Sequence, residues 1–463
     1  MKNAVLLNHK ATILNLLWVA LPIILLVAIL PKQQESSTLQ ANYRYPFPPS
    51  LPGSDDRRGS LLREVTFYQQ RVSQDPESGM NTAALAVAYM KMAKGTGESS
   101  WYLLAQQTAE RSLTNLSFNN NSAVLVVARV AQAKHDFTEA IRLSQQVLKL
   151  ERGNQQAQAI LVTSHLALGK LSAAKAEADA LANQSPNQGN LSLQALVQVA
   201  QGRDKDAINT FKLAIAAEEP GETGSSAWTR TMLGQYYYKH GQLALAGELY
   251  REALRILPRY PLALLHLAEL ETRTGDYKAA ESNYDQVNPR TKETSTIFDH
   301  VVLRGKARLK HLQGEEKAAV DLLDKAEILL RQQTTAGQTN GAFGHRRELA
   351  RLLLERDRPQ DAIEALSLMQ SELAIRHDAQ TLDTLAWALF RSGHIPEAKS
   401  TLDEALRLGT RDATIFYRAG TISEALSNHQ QAETYFRLAT DVDPTFDRQA
   451  RQALGLGLDN FGF

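Results

Sequence analysis

The stretch Ala227 to Pro258, AWTRTMLGQYYYKHGQLALAGELYREALRILP, decides how the chain is read. Two apolar runs at helical spacing flank His240, Gly241 and Gln242, so the stretch is two helices joined by a short turn. Gly234 and Ala246 remove bulk where the two helices cross, and Tyr237 and Tyr250 fill the space beside them. Gly241 suits the positive φ of a helix C-terminus, and Pro258 ends the second helix because it cannot continue the hydrogen-bond ladder. One such hairpin covers only part of its own apolar surface. It needs a neighbour on each side.

With Ala227 as position 1, Leu233 and Gly234 fall at 7 and 8, Tyr237 at 11, Ala246 at 20, Tyr250 at 24, Ala253 at 27 and Pro258 at 32. This spacing resembles the tetratricopeptide repeat, a pair of antiparallel helices in 34 residues. Similar units open near Asn121 (Ala128, Ala140), Gln155 (Gly169, Ala174), Gln188 (Ala195, Ala207), Pro261 (Ala268, Ala280, Tyr284), His300 (Ala307, Ala319), Phe343 (Ala350, Ala362), Ala379 (Ala386, Ala398) and Ala413 (Gly420, Ala432). The His300 unit is degenerate, with Lys306 and Lys310 where large apolar residues usually sit. Residues 61–120 read as an atypical cap in which Ala84, Ala86 and Ala88 face Ala105 and Ala109 across the connection Lys94 to Trp101. Glu218 to Ser226 reads as an inserted loop, and the polar run Gln332 to Gly344 as a flexible one.

The expected fold is therefore all-α: a solenoid of about nine to ten helix hairpins over residues 61–453, with a flexible tail at 454–463. The resemblance implies a right-handed superhelix whose inner wall, built from the first helix of each unit, binds peptides or partner helices. It implies a scaffold or adaptor. Single-span bacterial members of the family serve cytochrome c maturation, pilus assembly and lipopolysaccharide control. Nothing in the chain selects among these, and the cysteine pairs of the last type are missing.

Ahead of the array, Ala11 to Leu30 carries no charge over 20 residues, enough at 1.5 Å per residue to span about 30 Å of hydrocarbon. A cleaved signal peptide is the competing reading, but its apolar region is usually about 7–15 residues and ends at a small-x-small site. The nearest such site here, Leu39-Gln40-Ala41, has leucine at the outer position. The expectation is an uncleaved transmembrane anchor at 11–30 behind a cytoplasmic tail at 1–10. Lys2 and Lys10 precede the span, which places the repeats on the periplasmic or extracytoplasmic side of the inner membrane. Residues 31–60, with Pro46, Pro48, Pro49 and Pro52, read as an extended linker.

Composition narrows the chemistry. The balance of 51 basic and 50 acidic residues gives a net charge of +1, which offers no electrostatic case for a nucleic-acid partner. Absence of cysteine removes disulfides, thiolate nucleophiles and zinc–thiolate sites together. No two of the 11 histidines lie within four residues of each other, so no helix offers a zinc pair. No G-x-S-x-G occurs, and no glycine-rich loop follows a strand. The chain reads as a non-enzyme with no cofactor and no metal, unless a catalytic site is assembled across the superhelix.

Projecting the sequence onto the groove positions of the family brings Arg304 and Arg308, Arg347 and Arg351, and Arg391 onto the inner wall, with Trp387 and Phe390 as apolar neighbours. Each of the first two pairs stands one turn apart on one helical face, and a guanidinium fork suits a carboxylate. The expected partner is a protein, through an acidic or C-terminal segment held in the groove of residues 300–395. The alternative is that these arginines pair with neighbouring acids such as Glu348 and Glu355. A second function class is a structural packing module. A binder needs a polar inner wall; a packing module exposes apolar patches there.

Overall fold

The computed structural model describes residues 43–48, 57–287, 296–335, 345–356 and 358–456. The expected cytoplasmic tail and anchor, most of the linker and the last residues of the tail lie outside these. Two units divide between Arg44 and Tyr45, and the helical array lies in the second. No helix among the described residues is long and apolar enough to cross a membrane.

Helix α1 (Arg57–Gln74) precedes a series of antiparallel pairs. These are α2 and α3 (Gly79–Thr96, Ser99–Asn115), α4 and α5 (Asn121–Ala133, Phe137–Leu150), α6 and α7 (Gln155–Ala167, Leu171–Gln184), and α8 and α9 (Gln188–Ala200, Asp204–Ala216). They continue with α10 and α11 (Thr223–Lys239, Leu243–Ile256), α12 and α13 (Pro261–Thr274, Tyr277–Val287), and α14 and α15 (Asp299–Leu312, Glu316–Thr335). The last are α16 and α17 (Arg346–Arg356, Pro359–Leu373), α18 and α19 (Ala379–Arg391, Ile395–Arg407), and α20 and α21 (Ala413–Ala425, His429–Val442), closed by the short α22 (Arg448–Ala453). The described residues form an all-α solenoid. Their one β feature is an isolated bridge between Glu98 and Thr296.

Two of the pairs cross where a glycine meets an aromatic ring. A Cβ added at Gly234 would lie 2.6 Å from the ring of Tyr250, and one at Gly420 would lie 2.4 Å from the ring of Phe436. Ala246, Ala253 and Tyr250 are fully buried in the same crossing. Close backbone approach and a filled gap are thus one feature.

Three boundaries differ from the sequence reading. The connection expected at Lys94 to Trp101 shrinks to Gly97 and Glu98, because Gly97 takes φ 72° and its N–H returns to Ala93, ending α2 within one residue. The inserted loop ends at Glu222 rather than Ser226, since α10 starts at Thr223. Its extra turn is held by an ion pair between Arg230 and Glu218, both fully buried side chains. Helix α15 runs to Thr335, into the polar run read as a loop from Gln332, where nothing before Gly337 breaks a helix. The two misfit lysines of the His300 unit also have an account: Lys306 pairs with Asp285 at 2.6 Å and Lys310 with Glu315 at 3.3 Å.

The solenoid closes on itself. Ile297 N donates to Gly97 O at 3.0 Å, His377 N to Ala167 O at 2.9 Å, and Thr410 Oγ1 to Ala200 O at 2.9 Å. Each acceptor stands at the C-terminal end of a first helix, where the carbonyls have no partner within the helix. Each donor belongs to the approach to a first helix one turn of the superhelix later. The third pair thus meets the ninth, and the fourth meets the tenth.

Charge follows the same geometry. Lys239, the last residue of α10, lies 3.1 Å from Asp412, the N-cap of α20, whose other oxygen accepts from Thr414 N at 2.9 Å. Arg273, near the end of α12, donates to Asp443 at 2.6 Å and to Thr445 Oγ1 at 2.8 Å, just ahead of α22. Lys239 suits the negative end of one helix dipole and Asp412 the start of another, whereas Asp443 is the C-cap of α21 and is held by Arg273 and the Thr445 N–H.

Part of the stretch read as linker is docked on the array. Tyr45 N donates to Glu252 at 2.7 Å, its hydroxyl donates to Glu219 O at 3.1 Å, and its ring lies 5.9 Å from the Arg230 guanidinium.

Candidate functional site

The seam leaves a cavity of about 380 Å³ inside the second half of the array. Its wall comes from the first helices α10, α12, α14, α16, α18 and α20, with Ala453 to Leu456 at the end of α22. Successive first helices face the same interior because each pair repeats the orientation of the one before. The wall carries twelve charged side chains, and most of them come in pairs.

Lys239 with Asp412 and Arg273 with Asp443 are the seam pairs seen from inside. Arg418 on α20 donates to Asp383 on α18 at 2.5 Å, and its guanidinium lies 5.2 Å from the Trp387 ring centroid. Arg304 and Arg308, one turn apart on α14, both reach Glu355 on α16. Arg304 Nη2 donates at 2.9 Å, while Arg308 donates through Nε at 2.6 Å and Nη2 at 3.0 Å. Burial works against the Glu355 carboxylate, yet Arg308 and Arg304 hold its pKa below the usual range.

Arg351 stands apart. It lies one turn before Glu355 on α16, the spacing of a helical ion pair, but that carboxylate is turned toward α14. Arg351 lines the cavity and forms no hydrogen bond or ion pair. Burial, with the charge of Arg347 next, pulls its pKa down to about 10. Asp383 in the same wall has its pKa raised by burial, and its Oδ1 has no hydrogen-bond partner.

Of the seven residues expected on the inner wall, Arg304, Arg308, Arg351 and Trp387 line this cavity. Arg347 is buried away from it and bonds Asp378 and Thr381 at 3.2 Å each and Glu348 at 3.3 Å. Phe390 stacks on Trp387 with centroids 4.9 Å apart but does not line the cavity, and neither does Arg391. The sequence reading missed Lys239, Arg273, Asp383, Asp412, Arg418 and Asp443. Arg418 is the sixth residue counted from Ala413, whereas Arg304 and Arg347 are the fifth of their units, so the projection passed over it by one residue. The seam residues had no local signal, because their partners lie 170 and 173 positions away. Among the described residues no cluster of His, Asp or Glu is placed to hold a metal ion.

Comparison with known proteins agrees with the geometry of the pairs. A tetratricopeptide repeat model matches residues 131–198, and a second model of the same description matches 231–288 and 384–445. A segment of 56 residues is 45% identical to the uncharacterized protein ycf37 of Pyropia yezoensis, covering 12% of this chain and 32% of that one. The chain thus spans about a third of the length of that curated relative. Among solved structures, the human IFIT1 dimer with PPP-AAAA is 14% identical over 82% of this chain and 86% of that one, with a TM-score of 0.44. A tetratricopeptide repeat protein from Parabacteroides merdae is 15% identical over 54% of this chain and 92% of its own, with a TM-score of 0.36. The chain carries tetratricopeptide repeats, arranged in an all-α solenoid.

Proposed function

We propose that the chain is a membrane-tethered interaction scaffold, anchored by residues 11–30 in the inner membrane, with its repeats on the periplasmic or extracytoplasmic side. Its inner wall holds a segment of a partner protein. The observation that carries this reading is the polarity of that wall: Lys239, Glu269, Arg308, Glu355 and Gln380 face the interior where a packing module would present an apolar strip.

The size of the interior constrains the partner. The interior is about 380 Å³ and is lined from six first helices, which suits a short segment rather than a long one. Its arginines suit an acidic or C-terminal segment. With the seam closing the side of the superhelix, such a segment enters along the axis.

The test joins topology to capture. An export-dependent reporter fused behind Phe463 should be active, and the protein should stay with membranes after salt washing. Crosslinked envelope extracts should then give a partner that is lost when the wall residues Arg304, Arg308 and Arg351 are changed to Ala. An inactive reporter would sink the topology; identical captured proteins with and without the arginines would sink the groove.

A further inference from the structure

We propose that the interior cavity is a binding site for a small molecule bearing a single oxyanion, a phosphate or carboxylate group, with Arg351 as its anchor. The inference rests on the reading of the inner wall as a binding surface, and goes past the partner segment to a ligand enclosed within the repeats.

Three observations converge on Arg351. Every other lysine or arginine that lines the cavity has a carboxylate: Lys239 has Asp412, Arg273 has Asp443, Arg418 has Asp383, and Arg304 and Arg308 share Glu355. Arg351 alone among these has none. Its own helical neighbour Glu355 is held by two guanidinium groups from α14, so it is not available to turn back. Asp383 and Glu348 act on Arg351 only through space, and a guanidinium facing the cavity without a hydrogen-bonded acceptor leaves its donors open to a ligand.

The shape fits the same ligand. A volume of about 380 Å³ lies in the small-molecule range of about 300–1,000 Å³. The fork of Arg351 offers two parallel donors to one oxyanion, Trp387 gives a flat apolar wall, and Gln380 gives a neutral hydrogen-bonding group.

The test uses the full chain and three probes, sodium phosphate, sodium acetate and sodium chloride, at equal ionic strength. Thermal unfolding and titration calorimetry are read for wild type, Arg351→Gln and Arg351→Lys. Phosphate or acetate should raise the wild-type midpoint by about 3 °C at a hundredfold excess over its dissociation constant, with chloride giving no rise. Arg351→Gln should keep its fold and lose the response, and Arg351→Lys should keep part of it, as a charge without the fork. A response to phosphate alone or to acetate alone identifies the anion; either supports the site. A wild type that answers all three salts alike, or an Arg351→Gln protein that binds as wild type does, overturns it. Partner capture from envelope extract is a separate readout: its failure with anion binding intact sinks the scaffold reading and leaves this one.

Discussion

Arg273 and Asp443 meet at 2.6 Å across 170 residues of sequence, fastening the end of α12 to the approach of α22. Arg273 is 5% exposed and Asp443 1%, and the same guanidinium also bonds Thr445. Changing Arg273 to Ala would leave a buried carboxylate with no counter-charge, at a cost of about 3–5 kcal/mol. Denaturant unfolding measures this directly. A loss below about 1 kcal/mol would mean that the seam is not formed there.

Two glycines separate the seam from local turn geometry. Gly202 (φ 69°) and Gly393 (φ 81°) both follow a first helix in the left-handed conformation. A Cβ at Gly202 would lie 2.2 Å from Gly409 O, one superhelical turn away, while a Cβ at Gly393 would meet nothing within 4 Å. Gly393→Ala should therefore cost only the backbone penalty, about 1–2 kcal/mol. Gly202→Ala should cost that and the clash, about 1–3 kcal/mol more. Equal melting midpoints for the two variants would contradict the closed superhelix.

The wall also predicts a dependence on pH. His300 is 3% exposed; burial first, then the nearby charge of His345, hold its pKa down at about 3. Arg304 acts the same way, and Glu348 opposes it. The unfolded chain takes up this proton below about 6.5 and the folded chain does not until about 3, so stability is full above 6.5 and falls with pH across that window. Between pH 7 and 4.5, before most carboxylates titrate, the loss is on the order of 2 kcal/mol. His300→Gln should flatten that part of the stability curve. Parallel curves for the two proteins would show that His300 is not buried neutral.

The pairs were legible because they rest on local rules. Gly234 beside Tyr250, Ala246 twelve residues on, and a left-handed glycine between helices are all fixed by neighbours within one unit, and the spacing repeats them. The inner wall was legible in part: one helical face carries Arg304 and Arg308, and the same rule places Arg351 on the interior. What α16 does with Arg347 was not, since helical phase does not say that Asp378 of the next unit's N-cap draws it out of the groove. The seam was invisible for a different reason. Lys239 and Asp412, like Arg273 and Asp443, are ordinary helix-end charges in sequence, and only the pitch of the superhelix brings them together.

The closed seam is what turns an open groove into an enclosed site, and the absence of native cysteine makes it directly measurable. Lys239→Cys and Asp412→Cys, introduced together, place two thiols where the side chains now meet at 3.1 Å. Treatment of the full chain with a short bismaleimide should give one intramolecular crosslink, seen as a mobility shift and as a linked peptide pair by mass spectrometry. Each single variant should give none. If the double variant takes up reagent at both thiols without joining them, the superhelix is open at that point, and the enclosed cavity does not exist in solution.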